Sequence, residues 1–337
     1  MKKLEDTIKR KFRSLKTRLQ NSLAHLLLST LEKIPPPQQF AVRKFLFSSL
    51  PPLFLGNPAY ESWQEANRFF VTHRHPQIDI LDLDSTSIAP KVSDKKIAIQ
   101  IHIFYPELVS ELAHYLKDFP ARFDLLISTP DASNEELIRT TFERLPNLGE
   151  IHLLITPNRG RDFAPLLIGF GKQLLQYDYF AHLHTQKSIG TNSIGDAWRQ
   201  YLYQGLLSNS HGRIAKILGL LDQYGLIYPE KFSLIDVQNC QWGSNYPRSK
   251  ELCKSLGISA PVDGYIEFPV GSMFWANTQA LKPLLEFEFA LEDFESESGQ
   301  TDNTLMHTLE RSLSHVALSP GRRIGILPDP SGHNYRP

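Results

Sequence analysis

The sequence predicts an α/β protein with a doubly wound, mainly parallel β-sheet, preceded by an α-helical accessory region. Between residues 95 and 184, short apolar runs rich in β-branched residues alternate with helix-like segments. This is the pattern of parallel strands joined by crossover helices. Before that stretch the chain shows helical periodicity and proline breaks instead. We therefore predict two regions, a basic helical region at 1–94 and an α/β domain at 95–337.

The first element is a long amphipathic helix. Residues 1–20 contain eight Lys or Arg residues against only Glu5 and Asp6, and the three prolines at 35–37 end the helix because proline cannot continue its hydrogen bonding. The sequence leaves two interpretations open: the apolar stripe lies on an anionic membrane surface, or it packs against the protein itself or a second subunit. The stripe recurs every three or four positions and consists of Leu4, Ile8, Phe12, Leu15, Leu19, Leu23 and Leu26.

The α/β domain begins with four predicted strands separated by three predicted helices. Parallel strands bring their carboxyl ends to one edge of the sheet, where ligands of such sheets bind. Polar residues at or just past those ends are expected to converge, namely His102, Thr129, Asn158 and His184. The strands are predicted at 95–105, 123–129, 150–156 and 177–184, and the helices at 106–119, 134–145 and 163–176.

Composition narrows the class of protein. The 36 basic and 36 acidic residues cancel, so attraction to nucleic acid by bulk charge is not expected. No apolar run approaches the roughly 20 residues of a membrane-spanning helix, and the basic N-terminus lacks the apolar stretch of a secretory signal. We expect a cytoplasmic protein, peripheral on the inner face of the plasma membrane if the first helix binds lipid. Cys240 and Cys253 lack metal-site spacing and are expected to be free thiols, the alternative being a disulfide between them.

A loop with two arginines follows the third predicted strand, in the segment PNRGRDFAP at 157–165. Gly160 allows a turn that presents Arg159 and Arg161 to an anion, and Asp162 is placed to cap the next helix. The alternative is an ordinary loop in which Arg159 pairs with Asp162 at the surface.

Two histidines end the fourth predicted strand, in the segment AHLHTQKS. His182 and His184 lie two residues apart and therefore project from the same face. As metal ligands they would need a further partner, which local spacing does not supply. Alternatively, His184 joins Thr185, Lys187 and Ser188 as donors to a diphosphate, since lysine and hydroxyl groups suit phosphate oxygens.

A third polar region lies toward the C-terminus. The run from Gly271 to Trp275 leads from small residues into bulky apolar ones and is a candidate floor for a sugar ring. Behind it, a helix is expected after Asp302-Asn303. The candidate polar members of this run are Glu297, Asp302, His307, Glu310 and Arg311. The alternative is an acidic cap followed by a helix with solvated charges.

Six segments occur together, and in order, that resemble the rhamnan synthesis protein F family. They are IQIHIFYPEL, NRGRDFAPLL, YDYFAHLHTQKS, WRQYLYQGLL, FPVGSMFWANTQAL and GQTDNTLMHTLERSL, and they span about residues 95–315. The resemblance implies a glycosyltransferase of rhamnose-containing polysaccharide, such as cell-wall or O-antigen glycan. The implied reaction moves L-rhamnose, or a related deoxysugar, from a dTDP-sugar to a lipid-linked glycan.

The order of strands and helices also resembles the GT-A glycosyltransferase fold, with HLHTQKS at the place of a metal-binding Asp-x-Asp. Cationic side chains would then neutralise the departing diphosphate, and no metal or other cofactor is expected. One departure is Gln186, where the family motif is expected to carry lysine. The residues implied for the diphosphate are Arg159, Arg161, His184, Thr185, Lys187 and Ser188. Those implied for the nucleotide and sugar are His102, Tyr105, Asn158, Asp162, His182, Gly271, Ser272, Met273 and Trp275.

An inverting transferase needs a base for the proton of the acceptor hydroxyl. Asp302 is the first expectation and Glu297 the second, because they follow the GSMFW run, where GT-A enzymes place an acidic base before a helix. The alternative function is a non-catalytic sugar- or nucleotide-binding subunit of a polysaccharide-synthesis complex. Either function is compatible with an oligomer.

Overall fold

The computed structural model describes residues 2–31, 33, 36–72, 74–85, 94–187, 194–300 and 302–329, with the side chains of the first helix described from Thr17 onward. The chain forms two compact units. One comprises Met1–His73 with Leu234–Asn239, and the other comprises Arg74–Ser233 with Cys240–Pro337. Among the described residues, no helix has the length and apolar character needed to cross a membrane.

The N-terminal unit is helical, as predicted. The long first helix ends at Leu31, before the prolines, and Pro36 starts the second helix, where its missing N–H costs nothing. A small aromatic core holds the unit together, with the Phe47 ring 5.0 Å from that of Phe54 and 5.1 Å from that of Tyr60. The helices are α1 (Lys2–Leu31), α2 (Pro36–Ser49), α3 (Pro51–Phe54) and α4 (Pro58–Thr72).

The second unit is built on one eight-stranded sheet, which confirms the α/β prediction. The strand order is β1-β8-β6-β7-β5-β2-β3-β4. Every neighbouring pair is parallel except the two pairs that contain β7, which is antiparallel to both β5 and β6. The strands are β1 (Ile78–Ile80), β2 (Ile97–His102), β3 (Phe123–Thr129), β4 (Leu148–Ile155), β5 (Tyr179–His184), β6 (Tyr224–Pro229), β7 (Phe274–Asn277) and β8 (Arg323–Leu327).

The sheet unit starts at Arg74, about twenty residues before the boundary predicted from the sequence. The reason is β1, which pairs with β8 through Ile78 to Ile80. A strand of three residues carries too little alternation to be detected by its pattern. The sequence prediction placed β1 in the accessory region because residues 38–90 are interrupted by prolines and are partly helical in pattern.

Helices cover both faces of the sheet. They are α5 (Val109–Leu116), α6 (Glu135–Phe142), α7 (Gly171–Leu174), α8 (Ile194–Leu207), α9 (Arg213–Leu220), α10 (Tyr246–Ser255), α11 (Lys282–Glu286) and α12 (Leu305–Leu318). The helix expected after Asp302-Asn303 is thus present as α12.

The continuous helix predicted at 163–176 is divided instead. A wide turn over Pro165–Gly169 precedes α7, and the N–H of Phe170 bonds the carbonyl of Pro165, five residues back, at 3.1 Å. A side chain at Gly169 would lie 2.9 Å from the Leu154 side chain. Close approach to β4 therefore explains why glycine occupies this position.

The two faces of β2 differ in character. Ile97, Ile99 and Ile101 are buried in the core on one face. On the other, the apolar Ala98 is followed by Gln100 and His102, both also buried. Polar side chains therefore extend from the carboxyl end of the strand into the sheet.

Candidate functional site

The sheet has a topological switch point between β2 and β5. The chain runs outward from β2 to β3 and β4, then returns to β5 on the other side of β2. In doubly wound sheets the ligand binds at the carboxyl edge where the strand order reverses in this way. His102 and His184, the last residues of β2 and β5, are register partners at that edge. The structure therefore brings together two of the four residues expected to converge.

A buried polar network lies directly beneath this edge. His182 is fully buried, and its Nε2 lies 3.0 Å from the Asp162 carboxylate while its Nδ1 lies 2.5 Å from the Gln100 side-chain amide. Burial lowers the pKa of His182. Burial opposes ionisation of Asp162, but the nearby His184 and the hydrogen bond from His182 outweigh it, and the pKa of Asp162 lies below its ordinary value. A neutral His182 thus donates through Nε2 to an ionised Asp162.

The tautomer of His182 determines which way the side-chain amide of Gln100 is oriented. With Nε2 protonated, Nδ1 of His182 is an acceptor, whereas the Gln100 atom that faces it is Oε1. The amide must therefore turn by half a rotation to offer its NH₂ group. The Gln100 nitrogen otherwise has no partner among the described residues, and the orientation of such an amide is assigned from the bonds it makes. Both nitrogens of His182 are therefore engaged within the protein. In the described part of the chain, no group of three or more His, Cys, Asp and Glu side chains is placed to hold a metal ion.

His184 is held by the turn that precedes β7. Its Nε2 donates to the carbonyl of Gly271 at 2.9 Å, and the N–H of the same glycine donates to Glu310 at 2.8 Å. The hydroxyl of Tyr203 bonds the His184 carbonyl at 2.9 Å. Because Nε2 is occupied, Nδ1 is the His184 atom that can meet a ligand.

Ser128 is a site residue that the sequence reasoning did not assign, whereas Glu310 is among the candidate polar members and was given no specific role. Burial raises the pKa of Glu310. Ser128 lies beside His102 in the β2–β3 register, and its hydroxyl is 2.9 Å from Nδ1 of His102. Burial lowers the pKa of His102 to about 4, so this ring is neutral near pH 7. Strand register could have found Ser128, whereas Glu310 depends on where α12 docks.

Thr185 fastens the loop after β2 to the end of β5. Its hydroxyl accepts the N–H groups of Phe104 and Tyr105 at 2.9 and 2.8 Å, and its own N–H donates to the carbonyl of His102 at 3.0 Å. These bonds also end β2 at His102, short of the predicted 105. The lone pairs of the Thr185 hydroxyl thus serve the backbone, while its O–H can still donate, so its role as a donor to a diphosphate stays a prediction.

Lys187 lies three residues after the end of β5, next to the switch point. Its ammonium pairs with Glu107 and lies 5.5 Å from the centre of the Tyr105 ring. The lysine side chain is 36% exposed, so the pair is open to solvent. Ser188 lies outside the described residues.

The two arginines after β4 bind protein acceptors. Arg159 donates to the carbonyls of Phe294 and Glu292 at 2.7 and 3.1 Å. Arg161 donates to the carbonyl of Gln300 at 2.6 Å, and its Nε lies 3.4 Å from Glu297. Both guanidinium groups therefore secure the segment from 292 to 300.

The remaining members of the arginine loop have different surroundings. Asn158 is exposed. Asp162 points inward to His182, so neither the helix cap nor the surface pair with Arg159 predicted for it is formed. Gly160 has a φ of +76°, and a Cβ there would lie 2.5 Å from that of Ala164. Only glycine fits this turn.

The two candidate bases have different partners. Asp302 accepts hydrogen bonds from Asn245 at 2.8 Å and Ser244 at 3.0 Å, and it lies 3.2 Å from Arg311. Burial opposes ionisation of Asp302, but these three groups outweigh it and lower its pKa. One carboxylate oxygen of Glu297 is buried without a partner among the described residues.

The apolar run before and within β7 is core, which corrects the prediction of a sugar-binding floor. Trp275 is fully buried and Met273 is 1% exposed. The Trp275 indole donates to the carbonyl of Leu206 at 3.0 Å. Trp275 and Phe274 lie in different core clusters on opposite faces of the sheet, so both faces of β7 are covered. Of this run, Gly271 touches the site residues, and Ser272 follows it, mostly buried, with a φ of +58°.

Comparison with known proteins gives the family. The family model described as rhamnan synthesis protein F matches residues 68–321, about three quarters of the chain. Proteins named "Uncharacterized protein WxcX" from two strains of Xanthomonas campestris pv. campestris are 28% identical to it over 260 residues. The matches cover 74% of this chain but 36% of the relatives, so the chain spans about a third of their length. The chain belongs to the rhamnan synthesis protein F family, which indicates a role in polysaccharide synthesis.

Proposed function

We propose that the chain is a glycosyltransferase that moves L-rhamnose from dTDP-rhamnose to a lipid-linked cell-surface glycan. The observation that carries the proposal is the pairing of His102 with His184 at the carboxyl edge of the switch point, where such sheets bind nucleotide-type ligands. The family description supplies the class of sugar. The antiparallel β7 beside the site strand is compatible with the GT-A-like arrangement.

The donor diphosphate would lie against His184 and Lys187. Nδ1 of His184 is not used by the protein contacts described above, and the ammonium of Lys187 needs only to exchange Glu107 for a phosphate oxygen. Negative charge grows on the diphosphate as its bond to the sugar C1 breaks, and a positioned cation stabilises it. Loss of one such group typically lowers kcat by about 100-fold or more. We propose that these side chains act without a divalent metal.

The acceptor hydroxyl must lose its proton as its oxygen bonds to C1. A base whose pKa is lowered accepts a proton less readily, and the three donors around Asp302 lower its pKa. Glu297 has one oxygen without a partner among the described residues. We therefore place Glu297 ahead of Asp302 as the base, which reverses the order expected from the sequence.

The test is release of dTDP from dTDP-rhamnose, followed by chromatography with and without a lipid-linked acceptor. Lys187→Ala should lower kcat by about 100-fold. Lys172→Ala is the matched control, because Lys172 forms an exposed ion pair with Glu288, and it should leave kcat unchanged. Glu297→Gln should lose more activity than Asp302→Asn.

Two outcomes would contradict the proposal. Turnover that disappears with EDTA and returns with Mn²⁺ or Mg²⁺ would overturn the metal-free version. Absence of both binding and turnover with dTDP-, UDP- and GDP-sugars would overturn the glycosyltransferase itself.

A second candidate is a sugar- or nucleotide-binding subunit without catalysis. It is favoured by the fact that Lys187, Arg159 and Arg161 all have protein acceptors, which reduces the positive charge available to a leaving group. Such a subunit would bind a dTDP-sugar in calorimetry yet release no dTDP in the presence of acceptor. The same pair of measurements therefore separates the two functions.

A further inference from the structure

One face of helix α1 is buried in the N-terminal unit, and another face is exposed. Ala24 is 2% exposed and packs in the aromatic core with Phe47 and Phe54. Leu19, Leu23 and Leu26 are instead 64%, 48% and 61% exposed. These three leucines belong to the apolar stripe that defines the helix in the sequence. This described part of the stripe is therefore not the surface that fixes α1 to its own unit.

The exposed leucines form one continuous face. Positions 19, 23 and 26 are separated by four and three residues, so their side chains are neighbours along the helix. The same spacing continues in the sequence through Leu15, Phe12 and further toward the N-terminus. A helix over Lys2–Leu31 is about 45 Å long. Burying these leucines would remove apolar surface from water, and an exposed apolar face of this kind is typical of a surface that meets a partner.

The charge of helix α1 indicates what kind of partner its exposed leucine face binds. Residues 1–20 contain eight Lys or Arg residues and two acidic ones, a local surplus of six positive charges. Two copies of this segment laid along each other would repel. An anionic lipid surface instead attracts the basic side chains of this segment, while the acyl chains of the lipid accept the leucines.

We infer that α1 binds the interface of an anionic membrane, with Leu19, Leu23 and Leu26 turned toward the acyl chains. The binding is a separate property from sugar transfer. It would place a transferase beside a lipid-linked acceptor, but it does not depend on the proposed reaction.

The test is co-sedimentation of the full chain with vesicles. One set contains phosphatidylcholine alone, and the other contains phosphatidylcholine with phosphatidylglycerol at about 7:3. The full chain should sediment with the anionic vesicles and not with the neutral ones, and added salt should weaken binding. The triple variant Leu19→Ser, Leu23→Ser, Leu26→Ser should bind about tenfold more weakly, because its apolar contacts with the acyl chains are lost.

The control replaces three similarly exposed apolar residues of the sheet unit. Leu137, Ile168 and Val262 are 45%, 43% and 86% exposed, and their triple serine variant should bind vesicles as the unchanged chain does. Unchanged vesicle binding by the α1 triple variant would overturn the inference. So would a dimer in sedimentation velocity that the α1 variant dissociates, together with no vesicle binding, because the face would then belong to a second copy. Release of dTDP with a water-soluble acceptor reports on sugar transfer separately.

Discussion

The backbone of Gly271 links His184, at the end of β5, to Glu310 on α12. Its carbonyl accepts from His184 and its N–H donates to Glu310, so this glycine fixes the tautomer of the histidine. Its φ is +92°, and a Cβ there would lie 2.9 Å from the Trp198 ring and 3.1 Å from Leu202. Two separate constraints, backbone conformation and close packing, therefore require glycine.

Substitution of Gly271 separates those constraints. Gly271→Ala should lower the free energy of unfolding by about 2 kcal/mol or more, since strain at positive φ costs of order 1 kcal/mol and the overlap with Trp198 adds to it. Gly257→Ala is the control, because Gly257 has a φ of +69° with no atom within 4 Å of a built Cβ. Urea denaturation measures both. Equal costs for the two variants would show that packing against Trp198 is not a constraint.

At the scale of elements, β7 explains why the site and the core lie so close together. The strand is antiparallel between β5 and β6, so it enters the sheet from the edge where the parallel strands end. Gly271, just before it, therefore reaches His184, while Trp275 within it stacks on Phe119 in the core with ring centres 5.9 Å apart.

Trp275 should therefore matter for stability and not for sugar binding. Trp275→Phe removes a buried hydrogen bond to Leu206 and some volume, and it should lower the free energy of unfolding by about 2 kcal/mol while leaving KM for the donor unchanged. Trp242→Phe is matched to it, since Trp242 is also buried but its indole N–H has no partner among the described residues, and its cost should be smaller. A raised KM in Trp275→Phe with unaltered stability would restore the sugar-floor interpretation.

The elements differ in how far the sequence could predict them. Strands β2 to β5 are continuous apolar runs between helices, so their existence and order followed from the pattern. Ser128 could be found only once the register of β2 and β3 is known. The inward turn of Asp162 was beyond prediction, because it depends on a left-handed turn at Gly160. The roles of Thr185 and Arg159 were also hidden, because their partners are backbone groups about 80 and 135 residues away.

At the scale of the whole molecule, buried ionisable groups give opposite responses to pH. Asp162 has a lowered pKa, so its contribution to stability is present above the unfolded-state value and is lost as the pH falls. Glu230, at the carboxyl end of β6, is 7% exposed. Burial raises its pKa to about 7, the nearby Glu267 adds to the rise, and the N–H of Asp329 opposes it.

Glu230 should make the fold less stable as the pH rises from about 4.5 to 7. In that window the unfolded chain releases the proton while the folded chain retains it, so the equilibrium shifts toward unfolding by up to about 3 kcal/mol. Glu230→Gln remains neutral and keeps an oxygen for the Asp329 N–H, which lies 3.4 Å from the carboxylate. Relative to the unchanged chain, this variant should gain up to about 3 kcal/mol between pH 4 and pH 8, measured by urea denaturation at both values. Glu288→Gln, at an exposed ion pair, should show almost no such gain, and a Glu230→Gln difference that stays constant with pH would mean that Glu230 is already ionised in the folded protein.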